Sequence, residues 1–227
     1  MSGLDRFLET FFKWEVIEEY LPAIGSGVIV TFELAVLVVI SGLALGLVLA
    51  LIRAYRVLLI NIPMVIMVDL LRALPPLVLI LILYFGLPNL GVVFSGFTVV
   101  WLVLSLVLAA FAEEIFWAGI LSVDDGQWKA ARSTGLSFTQ VLVYVVFPQA
   151  VRMTIPPLTN RTIAITKNTA LGMVVGVGEI LNEATTAQSF SGNASPLMMG
   201  AIAYVLIFVP VVYAGRWIEN RFAWKRA

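Results

Sequence analysis

The 227-residue chain contains no cysteine and no histidine, and only 12% of its residues are charged. The absence of cysteine excludes disulfides and thiolate chemistry, and the absence of histidine removes the commonest metal ligand and proton shuttle. The sequence also lacks GxxxxGK followed by serine or threonine, the loop that cradles nucleotide phosphates. These absences argue against an enzyme, and we expect the chain to bind no metal and no cofactor of its own.

Apolar residues, in contrast, are abundant. They make up 61% of the chain, against about 45–50% in soluble proteins. A soluble domain cannot bury that much apolar surface, so we expect lipid to cover much of this one. The formal net charge is zero, which argues against nucleic acid as a partner. The composition therefore predicts an all-α, polytopic membrane protein.

Five apolar segments are long enough to cross the ~30 Å hydrocarbon core as helices. We predict spans at about 24–52, 58–87, 97–120, 155–181 and 197–217, within one transmembrane domain that covers residues 21–227. The first span is too long for a removable signal peptide and follows an acidic stretch. Residues 1–20 carry Leu4, Phe7, Phe11 and Trp14 at helical spacing, which is typical of an amphipathic helix lying in the headgroup region.

The positive residues are distributed unevenly along the chain. They follow the first span, recur in the polar stretch at about 122–152 and end the chain, whereas 88–95 and 182–196 contain none. Because short cytoplasmic loops are enriched in lysine and arginine, we predict an N-terminus outside and a cytoplasmic C-terminus. The basic tail consists of Arg216, Arg221, Lys225 and Arg226.

Two local patterns concern helix geometry. The pair Pro75 and Pro76 in the middle of the second span should kink or break that helix. Gly42 and Gly46 form a GxxxG in the first span, which allows two helices to approach closely. We find no internal repeat.

The cytoplasmic stretch at 122–152 contains a pair of small residues followed by a glycine. Ala130 and Ala131, with Gly135 four residues later, favour a short helix that ends at a glycine in the left-handed conformation. Such a helix can seat closely in a groove of another protein. The residues alone leave a second interpretation open, a re-entrant loop that only joins two spans.

This stretch resembles the EAA loop of ABC-importer permeases, whose pattern is Glu-Ala-Ala, three residues, Gly, nine residues, Ile, one residue, Leu-Pro. The alanine pair, Gly135, Val145 and Pro148 fall in register, while Lys129 stands where the family has Glu and Phe147 where it has Leu. In that family the helix docks on an ATPase subunit, and the lysine implies a differently charged docking groove. The implied coupling residues are Gly126, Lys129, Ala130, Ala131, Gly135 and Pro148.

Further stretches are similar to polar amino-acid permeases, the type that includes histidine and glutamine importers. They lie at 71–77, 84–88, 114–120, 156–160 and 167–171, with Trp117 replacing a family arginine. The resemblance implies the type I ABC importer permease fold in a bacterial inner membrane. The implied partners are a second permease, identical or similar, ATPase subunits that carry ATP and Mg, an extracytoplasmic solute-binding protein and an amino-acid substrate.

Ionisable residues inside spans are costly and usually face a bundle interior or a pathway. Arg72 has the chemistry to hold an α-carboxylate through two parallel hydrogen bonds, although Asp69, three residues earlier, would instead neutralise it. For Lys167 and Asn168, a pathway lining and hydrogen bonds within the bundle are both open. The candidate substrate-pathway residues are Arg72, Asp69, Glu114, Lys167, Asn168 and Thr169.

Adjacent glutamates near the end of the third span are expected to form structural ion pairs. We predict that Glu113 and Glu114 pair with Arg152 or Arg161 across a helix interface. We expect Glu33 and Glu179 to lie at the protein surface near the outer boundary of the membrane.

The leading hypothesis is a permease subunit of an ATP-driven amino-acid importer, which forms half of the translocation pathway and couples to a separate ATPase through the loop around Ala130 and Gly135. The alternative is a secondary transporter or channel for a small polar solute, without a nucleotide partner. Five spans without an inverted repeat weigh against that alternative. A membrane enzyme or scaffold is the third class, and the lack of histidine and cysteine weighs against an enzyme.

Overall fold

A computed structural model describes residues 2–222, and every regular element in that range is helical. The α-helices are α1 (Gly3–Phe11), α2 (Trp14–Ala54), α3 (Leu58–Ala73), α4 (Pro76–Gly86), α5 (Gly96–Leu121), α6 (Asp125–Ser133), α7 (Phe138–Val141), α8 (Phe147–Lys167), α9 (Ile180–Ser191) and α10 (Ser195–Phe222). Short 3₁₀ segments occupy Leu87–Leu90 and Asn168–Val175, and a π-helical turn occupies Leu142–Val146. The all-α prediction is confirmed.

The N-terminal helix is shorter than predicted. It begins with a capping box, in which the Ser2 hydroxyl accepts the N–H of Asp5 and the Asp5 carboxylate accepts the N–H of Ser2. It ends at Phe11 instead of near residue 20, and Trp14 already starts α2. Helix α2 runs through Pro22, although the proline removes one backbone hydrogen bond. Its 41 residues measure about 60 Å, roughly twice the thickness of the hydrocarbon core.

The second predicted span is broken at its two prolines. Helix α3 ends at Ala73, and Leu74 has extended backbone angles (φ −88°, ψ 136°) because a residue before proline is disfavoured in the helical region. Helix α4 starts again at Pro76, where the missing N–H costs nothing because the first turn of a helix has no partner for it. The predicted break is confirmed.

The fourth span begins earlier than predicted. Helical structure is continuous from Phe138 to Val175 and ends at Gly176, whose φ is 71°. The helix therefore covers 138–175, where the sequence predicted a span at 155–181 and a loop at 122–152. The π-helical turn before α8 shifts the backbone bonding pattern, and the helix continues past Pro148.

Four helical stretches of the described chain are long and apolar enough to cross a bilayer, namely Gly3–Ala54, Gly96–Leu121, Phe138–Val175 and Ser195–Phe222. The broken pair α3 and α4 adds a fifth if it counts as one span. Many large apolar side chains on α2, α3 and α10 are more than half exposed, as expected for faces that lipid covers. The prediction of a polytopic protein with about five spans is confirmed. Of the basic tail, Arg216 and Arg221 lie in α10, while Lys225 and Arg226 lie outside the described residues.

The chain packs as two units. The first consists of residues 2–38, 76–104 and 166–212. Its α2, α9 and α10 portions meet around a small apolar cluster, and Gly27 lies so close to α9 that an added Cβ would sit 3.0 Å from the Cα of Ile180. The cluster consists of Ile24, Ile180, Ala184, Met199 and Ala203.

The second unit consists of residues 39–75, 105–165 and 213–222. In it α2 packs against α5 through two glycines. A Cβ added to Gly42 would lie 2.8 Å from the Cβ of Leu108, and one added to Gly46 would lie 2.6 Å from the Cβ of Ala112. Real Cβ atoms essentially never lie this close to a non-bonded atom, so the close helix approach predicted from the GxxxG is confirmed.

Candidate functional site

Helix α6 is an exposed helix of nine residues with a cap at each end. At its start the Asp124 side chain accepts the N–H of Gly126 at 2.7 Å. At its end the N–H of Gly135 donates to the carbonyl of Arg132 at 3.1 Å, with a φ of 89° at the glycine. Only glycine adopts this conformation without strain, so the predicted glycine-terminated helix is confirmed.

One face of α6 anchors the helix and the other is free. The Trp128 ring stacks on Phe138 with their centroids 5.5 Å apart, and Ala131 packs against the apolar cluster below. Lys129 and Ala130 are exposed on the opposite side, and the Lys129 side chain is 79% accessible. A small residue at the centre of this free face leaves the helix backbone open to close approach by another protein.

An apolar cluster connects α6 with the ends of the spanning helices. Its members come from the last residue of α2, the end of α5, the turn before α6, α7, the π-helical turn and the start of α8. They are Ala54, Ile120, Val123, Val141, Leu142, Val146 and Ala150. Trp128 and Ala131 of α6 pack directly against this cluster, and buried side chains pack at crystal-like density. Pro148 lies exposed in the first turn of α8, beside the cluster.

Arg72 lies among charged and aromatic groups of the same unit. Its guanidinium lies 3.5 Å from the carboxylate of Asp69 and contacts that of Glu114. Arg72 and Arg161 both lie over the Phe111 ring, at 5.3 Å and 3.2 Å from its centroid. Asp69 therefore neutralises Arg72, as the sequence allowed. The buried Nε of Arg72 nevertheless has no hydrogen-bond partner within residues 2–222. In that range no three carboxylate side chains gather to hold a metal ion.

The adjacent glutamates of α5 form ion pairs, but with partners other than those predicted. Glu113 bonds to Arg53 and Glu114 contacts Arg72, instead of Arg152 or Arg161. Consecutive helical residues point about 100° apart, so the two carboxylates reach different neighbouring helices. The sequence signal that was missed is the arginine near the end of α2.

The remaining candidate pathway residues belong to the other unit, where α8 passes into a 3₁₀ segment. Lys167 is exposed, with its ammonium 6.0 Å from the Phe208 ring centroid, and Asn168 is half-buried. Thr169 is fully buried, and its hydroxyl donates to the carbonyl of Thr166 at 2.9 Å. The hydroxyl of Thr169 is thus used inside the helix.

Glu179 was predicted at the surface and is instead fully buried, whereas Glu33 is exposed. The Glu179 carboxylate caps α9 by accepting the N–H groups of Leu181 and Asn182 at 2.9 and 2.8 Å, and it accepts the hydroxyl of Tyr204 at 2.7 Å. Burial raises the pKa of Glu179, and these three hydrogen bonds oppose the rise. A glutamate directly before a helical stretch was the available signal for this cap.

Residues 42–224 match the family described as binding-protein-dependent transport system inner membrane component. The chain is 30% identical over 208 residues to the probable glutamine ABC transporter permease protein GlnP of Bacillus subtilis (strain 168), covering 90% of this chain and 95% of that protein. It is 34% identical over 176 residues to the probable amino-acid ABC transporter permease protein YckA of the same organism, covering 78% of each. A solved amino acid ABC transporter with histidines shares 30% identity and a TM-score of 0.82, covering 90% of this chain and 96% of that one.

Proposed function

The chain belongs to the family of binding-protein-dependent transport system inner membrane components, and from this we propose that it is the permease subunit of an ATP-driven amino-acid importer. It forms half of the translocation pathway in a bacterial inner membrane, beside a second permease of the same or similar sequence. Separate ATPase subunits bind ATP and Mg, and an extracytoplasmic solute-binding protein delivers the substrate. The observation that carries the proposal is α6, an exposed and doubly capped helix seated on the ends of spanning helices.

The free face of α6 is the proposed docking surface for the ATPase. Ala130 allows the groove of the ATPase to approach the helix backbone, and Lys129 favours a groove with acidic side chains. When the ATPases close on ATP, the displacement of α6 passes through Trp128 and Ala131 into the apolar cluster. The ends of α2, α5 and α8 then move together, which switches the open side of the pathway.

An amino acid is the proposed substrate because relatives of this chain are described as glutamine and amino-acid permeases. In this proposal the substrate α-carboxylate displaces Asp69, whose contact with Arg72 is long at 3.5 Å and whose side chain is 64% exposed. The Nη1 that Asp69 releases then donates to the substrate α-carboxylate. Glu114 then faces the substrate ammonium group, and Lys167, Asn168 and Thr169 remain a second candidate group on the pathway.

Uptake measurements with matched glycine variants test the docking role. Gly135→Val places a branched side chain at φ 89°, and Gly91→Val does the same at φ 78° in the turn after α4. Neither added Cβ has an atom of the described residues within 4 Å. Both variants are expected to fold and reach the membrane. We expect Gly135→Val to abolish ATP-dependent uptake of L-glutamine, with Gly91→Val still active. Normal uptake by Gly135→Val rejects the docking role, and uptake that persists without any ATPase points to a secondary transporter.

A further inference from the structure

A pocket of about 270 Å³ lies beneath α6, where α2 and α5 end, and the proposed coupling mechanism makes no use of it. Its volume is close to the lower end of the ~300–1,000 Å³ range of small-molecule sites. Among its lining residues are a cation, an anion and three aromatic rings, which are Arg56, Asp125, Trp117, Trp128 and Phe138. This combination of charges and aromatic faces in one small pocket is unlike an apolar packing defect.

Arg56 has an unusual backbone conformation. It is the one non-glycine residue of the described chain with positive φ, at 56°, and its N–H donates to the carbonyl of Arg53 at 3.0 Å. A bulky residue in this region costs about 1–3 kcal/mol, and such strain concentrates at functional positions. The Arg56 guanidinium has no ion-pair partner within residues 2–222. A strained turn thus brings an unneutralised arginine to the pocket.

The opposite charge comes from Asp125 in the first turn of α6. Its side chain is 86% exposed, and its one ion pair within residues 2–222, with Lys129 on the same helix, is long at 3.5 Å. Such a contact contributes little and is readily exchanged for another cation. The stacked rings of Trp128 and Phe138 line the same pocket, and aromatic faces attract ammonium groups.

We propose that this pocket binds a zwitterion, whose anionic group pairs with Arg56 and whose ammonium group lies at Asp125 and the aromatic rings. Two sources supply this chemistry, the headgroup of phosphatidylethanolamine and a free amino acid. A ligand here contacts Trp128 and Phe138, the pair that anchors α6, and so stabilises the position of that helix. The proposal stands whether or not α6 docks on an ATPase.

Binding to the full-length protein in detergent tests the proposal. Arg56→Gly removes the guanidinium and fits the positive φ without strain, Asp125→Asn removes the negative charge, and exposed Arg216→Ala is the matched charge control. One arm measures by native mass spectrometry the lipid retained from nanodiscs of equal phosphatidylethanolamine and phosphatidylglycerol. The other arm titrates delipidated protein with L-glutamine by calorimetry.

We expect one probe to bind, to lose roughly tenfold or more in affinity in both pocket variants, and to be unaffected by Arg216→Ala. Selective retention of phosphatidylethanolamine identifies a lipid headgroup, and saturable L-glutamine binding identifies a free amino acid. The proposal is overturned if neither probe binds, if Arg56→Gly binds as well as the unaltered chain, or if phosphatidylglycerol is retained equally and L-glutamine does not bind. Because Gly135 does not line the pocket, binding that survives in Gly135→Val separates this proposal from the coupling role.

Discussion

Arg53 and Glu113 form a buried ion pair in which one nitrogen, Nη1 of Arg53, lies 3.0 and 3.1 Å from the two carboxylate oxygens of Glu113. The glutamate side chain is completely buried and that of the arginine is 22% exposed. The pair joins the end of α2 to α5. It links α2 and α5, whose ends contribute to the apolar cluster beneath α6.

Removing only the arginine is therefore expected to be costly. Arg53→Met leaves the Glu113 carboxylate buried without its partner, which should lower the free energy of unfolding by about 3 kcal/mol. The double variant Arg53→Met/Glu113→Leu removes both charges and should regain most of that loss. Denaturant unfolding in micelles measures both, and a single variant as stable as the unaltered chain contradicts the role given to this pair.

The close contact of α2 with α5 gives a second prediction. Gly46→Ala places a methyl group 2.6 Å from the Cβ of Ala112 and should lower the free energy of unfolding by about 1–3 kcal/mol. Gly25→Ala is in the same helix, and its added Cβ has no atom of the described residues within 4 Å, so this variant should leave stability equal or slightly higher. Thermal unfolding of the two variants measures the difference, and equal melting temperatures would mean that the helices are not in close contact at Gly46.

The buried Glu179 predicts a pH dependence of a particular sign. Its pKa is raised above 4.5 in the folded protein, so the folded state holds this proton more tightly than the unfolded state. The stabilisation is fully present below about pH 4.5 and is lost as the pH rises through the raised pKa. Glu179→Gln keeps an acceptor for the α9 cap and removes the titration.

Melting temperatures across this window, taken as the difference between the unaltered chain and Glu179→Gln, isolate the effect from other carboxylates. The difference should shift toward lower relative stability of the unaltered chain as pH increases. A difference that stays constant with pH, or that shifts the opposite way, refutes the assignment.

Replacing Arg72 tests its proposed role in substrate recognition. Arg72→Ala should abolish uptake of L-glutamine while the chain still co-purifies with its ATPase, because Arg72 lies outside α6. Exposed Arg152→Ala, which removes the same charge from α8, should transport normally. Normal uptake by Arg72→Ala leaves Arg72 with only its structural pairing to Asp69 and Glu114.

The sequence predicted correctly those structural features that depend on one or two neighbouring residues. The break at Pro75, the glycine that ends α6 and the close approach at Gly46 all follow from backbone constraints of one or two residues. The start of the fourth span at Phe138 did not follow, because the polar stretch at 122–152 was predicted as a loop, whereas a π-helical turn and α8 continue the helix through it.

The contact partners of the ionisable side chains were harder to predict than the ionisable residues themselves. The glutamates of α5 were identified as ion-pairing residues, but which helix each carboxylate reaches depends on tertiary packing that one sequence does not encode locally. For the same reason Glu179 was assigned to the surface, since its burial depends on Tyr204 from a different helix.

The central claim, that the free face of α6 docks on an ATPase, is tested most directly by cross-linking in native membranes. Because the chain has no cysteine, Ala130→Cys introduces a unique reactive thiol on that face, and exposed Ser189→Cys on α9 serves as the matched control. Mass spectrometry of the adducts should identify a P-loop ATPase linked to position 130 and absent from position 189. If position 130 yields no ATPase adduct, or if both positions yield the same one, α6 is not the coupling surface.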